Sequence, residues 1–177
     1  MLPELTVVIG GAASGKSDFA EELVADSGRS KVYLATAQAH DNEMTAKIIR
    51  HRKSRGNGWR TVEAPLDLSN ALADVADSDI VLLDCATLWL TNHLLSGSDP
   101  TEAQASLFSA LVVCKAPVVI VTNEVGAGIV PENPLARRFR ESQGLLNRSL
   151  ATKAELVINV VAGLPMVLKG SLPKAKA

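Results

Sequence analysis

A run of eight residues, GGAASGKS, follows an apolar β-branched stretch and precedes an amphipathic one. It fits G-x-x-x-x-G-K-[ST], which in this context is typical of a loop that holds nucleotide phosphates. Backbone N–H groups can close around phosphate oxygens there, at the positive end of a helix. The predicted residues are Gly10, Gly11, Ala12, Ala13, Ser14, Gly15, Lys16 and Ser17. Lys16 can reach the terminal phosphates and Ser17 can bind Mg²⁺. The alternative is a glycine-rich turn that binds nothing.

A second candidate for the metal is Asp84, which ends the apolar run of DIVLLDC. A carboxylate at the end of a buried strand lies beside the phosphate loop in nucleotide-binding sheets and holds the metal there. In the alternative interpretation, Asp84 only caps a helix that begins near Thr87.

Positive charge gathers in residues 47–60, KIIRHRKSRGNGWR, which hold six of the eighteen Lys and Arg in a chain of net charge −1. If residues 41–55 form a helix ending at Gly56, then Lys47, His51 and Arg55 share one face. Neighbouring cations disfavour a charged imidazolium, and a neutral ring has a lone pair for attack on a nucleotide phosphorus. Spacing alone slightly favours the alternative, a solvated basic helix with an incidental histidine, because charged helix faces usually face solvent.

Composition excludes several other classes. The chain has 177 residues, 47% of them apolar, with a pI near 6.3, which predicts one globular unit without a general affinity for nucleic acid or anionic membrane. No apolar stretch approaches the roughly 18 residues that span a bilayer, so we expect a cytoplasmic protein. Cys85 and Cys114 lack metal-ligand spacing and are predicted to be buried free thiols.

The order of elements predicts an α/β fold of the P-loop NTPase type, with a mostly parallel central sheet and helices on both faces. Continuous apolar runs predict strands at 5–10, 31–37, 79–85, 117–124 and 156–163. Helical periodicity follows the phosphate loop as far as Gly28 and returns in residues 134–155. The second helix would place Leu135, Phe139, Leu146 and Leu150 on one stripe. Residues 1–170 are expected to form one catalytic domain, and 171–177 a flexible tail.

Six segments occur together in a characteristic order: VIGGAASGKSDFAE, YLATAQ, DNEMTAKIIRHRKSR, WRTVEAP, LLDCATLWLTN and VTNEVGAGIVPENPLARRFRE. With them, the chain resembles the bifunctional adenosylcobinamide kinase/adenosylcobinamide-phosphate guanylyltransferases of cobalamin biosynthesis, as far as about residue 163. The resemblance implies that His51 becomes guanylylated. It also implies nucleotide contacts beyond the loop by Thr36, Ala37, Gln38, Arg52, Lys53, Ser54, Arg55, Glu63 and Asp84.

The same resemblance implies two reactions and a homotrimer. ATP or GTP would phosphorylate adenosylcobinamide with Mg²⁺, and GTP would then donate GMP through His51 to adenosylcobinamide phosphate. Two positions depart from the family pattern, because Ala13 replaces a frequent Arg and Gly56 a common Pro. A single-activity small-molecule kinase and a non-catalytic nucleotide switch remain alternatives, and neither needs the His51 segment joined to TNEVGAGIVPEN.

Three further groups receive weaker interpretations. Asn123 and Glu124 follow an apolar run at the expected active edge of the sheet, which favours an unassigned site role. The RRFR run at 137–140 is interpreted as the solvent-facing side of a helix rather than a phosphate site. His93 is expected to pack at a helix end.

Overall fold

The structure, a computed structural model, describes residues 1–38, 45–46, 49, 51–53 and 55–173. Within them lie seven strands: β1 Leu5–Gly10, β2 Ser30–Ala35, β3 Trp59–Glu63, β4 Asp79–Asp84, β5 Val118–Asn123, β6 Leu156–Val161 and β7 Leu164–Lys169. The helices that can be given bounds are α1 Lys16–Ala25, α2 Ser69–Ala73, α3 Ala86–Leu95, α4 Pro100–Val113 and α5 Pro134–Lys153. The last four residues of the predicted tail, 174–177, lie outside the described residues.

The strands form one sheet in the order β3-β2-β4-β5-β1-β6-β7. Neighbouring strands from β3 to β6 are parallel, and only β7 runs antiparallel, paired with β6. The five predicted strands are confirmed, each ending within two residues of the expected position. Continuous apolar runs revealed them because strands covered on both faces need no polar alternation.

Two strands were missed by the sequence analysis. Strand β3 lies at one edge of the sheet and is largely exposed, so it lacks the apolar run that marks the buried strands. Strand β7 is exposed along its whole length and includes Pro165. A turn at Ala162 and Gly163, both with positive φ, joins it to β6 as a hairpin. Proline and exposure are both typical of edge strands.

Each face of the sheet has its own apolar core. One core contains residues of α2, α3, α4 and α5, with Trp89 and Leu146 among its largest buried side chains. The other contains Ala20 and Val24 of α1 together with Tyr33 of β2. Helices therefore cover both faces, as predicted, although α1 is the one helix of stated bounds on its side.

The helices begin where local chemistry satisfies their first N–H groups. Asn133 caps α5, because its Oδ1 accepts hydrogen bonds from Leu135 N at 2.8 Å and Ala136 N at 3.1 Å, and Pro134 follows as a favoured first residue. The predicted stripe of α5 is wrong at its start, since Leu135 is 49% exposed. Leu146 and Leu150, in the second half of the helix, pack into the core as predicted.

A buried polar network joins α5 to β5. Thr122 donates to Asn147 Oδ1 at 2.7 Å, and Gln143 Nε2 donates to both Thr122 Oγ1 and Asn147 Oδ1 at 2.9 Å. Asn147 Nδ2 in turn donates to the Asn123 carbonyl at 3.0 Å. The network holds the end of β5 against α5, at the edge where the phosphate loop also lies.

Replacing Asn147 by Leu should lower the free energy of unfolding by about 2 kcal/mol, because buried donors of Thr122 and Gln143 lose their acceptor. Urea denaturation would measure this change. Arg148→Leu, at an exposed neighbouring position, is the control and should stay within about 0.5 kcal/mol of the wild type. Equal effects of the two substitutions would contradict the role of the network.

Candidate functional site

The phosphate loop connects β1 to α1. Gly10 ends the strand, and a Cβ there would clash with the Ser14 side chain and lie 2.7 Å from the Val160 carbonyl, so only glycine fits. Gly15 has φ +88°, a left-handed conformation that glycine adopts without strain, and α1 begins at Lys16. The loop thus leads directly into the N-terminus of a ten-residue helix, whose first N–H groups can bind phosphate.

The turn between β6 and β7 supports the phosphate loop from the side. Gly163 N donates to the Ser14 carbonyl at 2.8 Å, and a Cβ on Gly15 would lie 3.2 Å from the Gly163 Cα. Lys16 Nζ donates to the Gly11 carbonyl at 3.1 Å, so the ammonium group lies across the loop. The support from Gly163 was missed by the sequence analysis, because it comes from a strand almost 150 residues away in the chain.

Asp84 lies where β4 ends, between Ala35 of β2 and Val121 of β5 in the register of the sheet. Its Oδ2 accepts a hydrogen bond from the Tyr33 hydroxyl at 3.1 Å. The following helix α3 is capped by Cys85, whose Sγ accepts from Leu88 N at 3.5 Å. The structure therefore assigns the cap to the neighbouring residue and leaves the Asp84 carboxylate facing Tyr33.

Thr36 is fully buried, and its hydroxyl bonds to the backbone of Cys85. It donates to the Cys85 carbonyl at 2.8 Å and accepts from Cys85 N at 2.8 Å. Its own carbonyl accepts from Asn92 Nδ2 at 2.8 Å. These bonds give Thr36 a role in holding β2 to β4 beside Asp84. Its neighbours Ala37 and Gln38 are half-buried, and Glu63 is exposed at the end of β3, level with Ala35.

The His51 segment is described in part. Residues 45, 46, 49 and 51–53 are helical, as predicted, and Arg55 N donates to the His51 carbonyl at 3.2 Å. Gly56 has φ +68°, where the helix was predicted to end. His51 is half-buried, whereas Arg52 and Lys53 are exposed. The predicted contributors Lys47, Arg50 and Ser54 lie outside the described residues, as does His40.

Arg55 joins this segment to the metal candidate. Its guanidinium carbon lies 3.2 Å from the centroid of the Tyr33 ring, so the cation stacks on the ring whose hydroxyl binds Asp84. Arg55 Nε and Nη1 are buried and have no hydrogen-bond partner in the described structure, as is also true of Ser14 Oγ and Glu21 Oε1. Buried polar atoms normally find a partner, so their gathering beside the phosphate loop indicates a polar ligand site.

Glu21 and Tyr33 were missed by the sequence analysis. A usable signal was present for Glu21, which lies one helical turn after Ser17 and therefore on the same face of α1. Burial raises the pKa of Glu21 to about 7; the positive charge of Arg55 opposes this, and the charges of Asp84 and Asp18 add to it. Burial, followed by the Asp84 charge, also raises the pKa of Tyr33, which keeps its hydroxyl a donor.

Two cavities differ in character. One, of about 380 Å³, is polar and adjoins Arg55; its lining residues are Arg52, Arg55, Gly56, Asn57, Gly58, Trp59 and Thr61. The other, of about 230 Å³, lies on the opposite face of the sheet, beside Trp89 and His93. His93 contacts Trp89 edge-to-face in the last turn of α3, with ring centroids 4.7 Å apart, which agrees with its predicted packing role. Only the first cavity adjoins the cationic segment.

Arg137 and Arg138 of the RRFR run are exposed, as predicted, whereas Phe139 and Arg140 are half-buried and Phe139 packs against the core. Arg137 and Arg140 hold a loop. Arg137 Nη1 donates to the Pro131 carbonyl at 3.1 Å, and Arg140 Nη2 donates to the carbonyls of Gly126 and Gly128. The loop is therefore attached to the start of α5. Glu124 is exposed, and its Oε1 accepts from Gly126 N within the same loop. These contacts give Arg137 and Arg140 a structural role.

The fold and the loop place this chain among P-loop nucleotide-binding proteins. A solved structure of the RadB recombinase aligns with a TM-score of 0.52 at 16% identity, covering 99% of this chain and 86% of that one. An ATPase from a type III secretion system aligns with the same TM-score at 12% identity, covering 94% and 57%. At such identities the likeness concerns the fold alone, and it confirms the predicted fold class.

The sequence comparisons are more specific. A family model described as cobinamide kinase / cobinamide phosphate guanyltransferase matches residues 6–168. The bifunctional adenosylcobalamin biosynthesis protein CobP of Pseudomonas aeruginosa is 44% identical over 168 residues, covering 93% of this chain and 96% of the relative. CobU of Escherichia coli, with the same description, is 44% identical over 181 residues, covering 93% and 99%. The chain belongs to the cobinamide kinase / cobinamide phosphate guanyltransferase family, which confirms the predicted resemblance and enzyme class.

The raised pKa of Glu21 predicts a pH-dependent stability. In the folded protein the pKa of Glu21 lies above the ordinary value of 4.5. The protonated carboxyl therefore contributes its full stability below pH 4.5, and this contribution is lost as the pH rises through about 7. In the nucleotide-free protein, Glu21→Gln should therefore raise the free energy of unfolding at about pH 8 by about 1 kcal/mol, after allowance for solvent screening of a half-exposed group. Near pH 4.5 the gain should disappear.

Thermal or urea unfolding at the two pH values would measure the difference. Glu22→Gln is the control, because Glu22 is the exposed neighbour on the same helix. A gain from Glu21→Gln that is the same at both pH values would show that the carboxyl charge is not its cause.

Proposed function

We propose that this protein is a bifunctional enzyme that phosphorylates adenosylcobinamide and then transfers GMP from GTP to adenosylcobinamide phosphate through His51. Membership of the family supports the pair of activities. The observation that carries the assignment of residues is the stack of Arg55 on Tyr33. It connects the segment that contains His51 to the carboxylate of Asp84, beside the phosphate loop.

In the kinase step, the phosphate loop holds the donor, which is ATP or GTP. Backbone N–H groups of residues 10–17 and the N-terminus of α1 bind the phosphates, and Lys16 neutralises the terminal ones. The hydroxyl of adenosylcobinamide attacks the γ-phosphorus. A new O–P bond forms, the bond to the β-phosphate oxygen breaks, and the hydroxyl proton is released. The contribution of the protein is positioning and charge stabilisation.

In the guanylyl step, a ring nitrogen of His51 attacks the α-phosphorus of GTP. An N–P bond forms, the bond to the β-phosphate oxygen breaks, pyrophosphate leaves, and the imidazole proton is released. A phosphate oxygen of the second substrate then attacks the same phosphorus, the N–P bond breaks, and His51 regains a proton. Dividing one displacement between two anions into two steps lowers each barrier. The product is adenosyl-GDP-cobinamide.

The cations assist the approach of these anions. Arg52 and Arg55 line the polar cavity next to the His51 segment, and Arg55 has buried N–H donors without a partner in the described structure. Guanidinium groups suit phosphate oxygens because their donors form a fixed planar fork. We propose that Arg52, Lys53 and Arg55 bind the nucleotide phosphates, and that Thr36, Ala37, Gln38 and Glu63 form the neighbouring wall of the site.

Ser17 and Asp84 would hold Mg²⁺. Mg²⁺ prefers oxygen ligands and commonly takes one or two from protein, with substrate phosphates and water completing the set. A hydroxyl beside the phosphate loop and a carboxylate at the end of β4 fit that requirement. When bound, the ion supplies neutralisation of phosphate charge. Tyr33 orients Asp84 for this role through its hydrogen bond.

The remaining proposals concern organisation. Among the described residues, no helix has the length and hydrophobicity that crossing a membrane requires. We propose a cytoplasmic enzyme with one catalytic domain, residues 1–170, that assembles as a homotrimer and does not act on nucleic acid. The family supports the small-molecule substrates, cobinamide and a nucleotide.

His51→Ala should abolish covalent labelling by α-labelled GTP while kinase activity survives at least in part, because the phosphate loop does not need the imidazole. Lys16→Ala should remove nucleotide binding and both activities, since the cation at the terminal phosphates is lost. The amount of labelled protein that remains after acid and base treatment would measure guanylylation, and release of ADP would measure kinase activity. His40→Ala is the histidine control and should label normally.

Two outcomes would contradict the assignment. Full labelling of His51→Ala would show that another residue is the nucleophile. A phosphoramidate label in the wild-type enzyme should be acid-labile and base-stable. Kinase activity of the wild-type enzyme without any label would support the single-activity kinase instead. Nucleotide binding without either transfer would support the switch.

Asp84→Asn should lower both activities and shift the Mg²⁺ dependence to higher concentrations, by about tenfold, because a neutral amide holds the ion less well. Activity titrated with Mg²⁺ at saturating nucleotide would measure the shift. Asp79→Asn is the matched control, because Asp79 lies at the opposite end of the same strand. Its carboxylate contacts Arg60 at 3.4 Å. Overlapping titration curves for Asp84→Asn and the wild type would refute the metal role.

A further inference from the structure

We infer that Tyr33 is a positioning residue for guanylyl transfer, whose ring and hydroxyl connect the His51 segment to the Asp84 carboxylate. The inference rests on the proposed function of His51. It assigns a role to Tyr33, the first residue of the YLATAQ segment, for which the sequence alone predicted none.

Three contacts hold the Tyr33 ring in place. Its hydroxyl donates to Asp84 Oδ2 at 3.1 Å. Its edge meets Trp59 of β3, with ring centroids 6.1 Å apart and planes at 86°. The ring also lies in the apolar core on the α1 side of the sheet, and the residue is only 7% exposed. The hydrogen bond to Asp84, the contact with Trp59 and the packing in the core together fix the position of the ring.

Arg55 uses that surface. Its guanidinium carbon lies 3.2 Å from the ring centroid, and its backbone N donates to the His51 carbonyl at 3.2 Å. The end of the helical segment is thus attached to the sheet through a cation on an aromatic face. The cation therefore lies on the face of the ring whose hydroxyl binds the Asp84 carboxylate. A planar guanidinium on an aromatic face has a preferred position.

The consequence for catalysis follows from distance requirements. In-line attack by a ring nitrogen needs the reacting atoms within about 3–3.5 Å, and small displacements cost orders of magnitude in rate. His51 is one helical turn before Arg55, so a shift of Arg55 would move the histidine. The phosphate loop lies on α1 and β1 and does not depend on this attachment. Loss of the ring should therefore affect guanylylation more than kinase chemistry.

A purely structural role is the competing explanation, because Tyr33 is also a core residue. Two substitutions separate the contribution of the hydroxyl from that of the aromatic ring. Tyr33→Phe removes the hydrogen bond to Asp84 and keeps the aromatic face for Arg55. Tyr33→Leu removes both. Phe108→Leu is the matched control, because Phe108 carries Lys153 at 4.8 Å on the other core and lies away from the site.

The experiment measures the rate of GMP–enzyme formation at saturating GTP, the kinase kcat and KM, and the thermal midpoint of each variant. We expect Tyr33→Leu to slow labelling by about tenfold or more, as for loss of a partly buried cation–aromatic contact, with a much smaller effect on kinase kcat. Tyr33→Phe should restore the labelling rate to within about threefold and show a changed Mg²⁺ dependence. Phe108→Leu should label at the wild-type rate.

A double-mutant cycle tests whether Tyr33 acts through Arg55. Arg55→Lys keeps the charge and loses the planar group that stacks. If the ring acts through the guanidinium, the double variant Tyr33→Leu/Arg55→Lys should label no more slowly than the worse single variant. If Tyr33→Leu does not fold, Arg55→Lys in the wild-type background decides, with the same expected slowing of labelling.

Equal losses of labelling and kinase activity in Tyr33→Leu, or additive effects in the cycle, would overturn the positioning role. A wild-type labelling rate in Tyr33→Leu would also overturn it. Where Tyr33→Leu does not fold, a wild-type labelling rate in Arg55→Lys would have the same meaning. Failure of the proposed function is distinguishable, because it would appear in the wild-type enzyme as absent label or as label that survives in His51→Ala.

Discussion

The site depends on parallel pairing at the centre of the sheet. Because β1 lies between β5 and β6, and β4 between β2 and β5, their carboxyl ends meet at one edge. Gly10 and Asp84 are brought to that edge from positions more than 70 residues apart. The same pairing supplies the Val160 carbonyl that leaves no room for a Cβ on Gly10. Without this register, the phosphate loop and the carboxylate would not share a site.

The two cores then decide what can cover each face. Helices α2 to α5 pack on one side of the sheet and leave the α1 side with Ala20 and Val24 above its strands. The α1 side is also where Tyr33 and Trp59 lie. The segment that contains His51 ends there, above β2, rather than among the longer helices. This division of the helices brings the end of the His51 segment to the same face of the sheet as α1, which follows the phosphate loop.

Charge is concentrated where these elements meet. Glu21, Asp84 and Asp18 lie near one another, and burial of Glu21 makes its negative charge costly in the folded protein. Arg55 opposes that cost and gains the Tyr33 face as a second partner. Such a cluster stabilises the fold poorly but suits a site that must accept phosphates and release products, since its groups have several comparable partners.

Much of this protein could be predicted from local sequence. Apolar runs marked the buried strands because both of their faces are covered, and the glycine pattern marked the phosphate loop because backbone must approach phosphate closely there. The roles of Lys16, Ser17, Asp84 and His51 stay predictions from chemistry and from family resemblance. Strands β3 and β7 escaped because edge strands carry no continuous apolar run.

What only the tertiary structure decided are the contacts between distant segments. The hydroxyl of Thr36, a residue that the family resemblance implies contacts nucleotide, bonds to the backbone of Cys85 just after the neighbouring strand β4. Arg137 and Arg140 looked like a free charged face, yet they hold the preceding loop. Gly163 supports Ser14, and Tyr33 joins Arg55 to Asp84. A residue type and its spacing determine which chemistry is available, whereas the partner of each group depends on sheet order and register, which bring together residues that no local pattern relates.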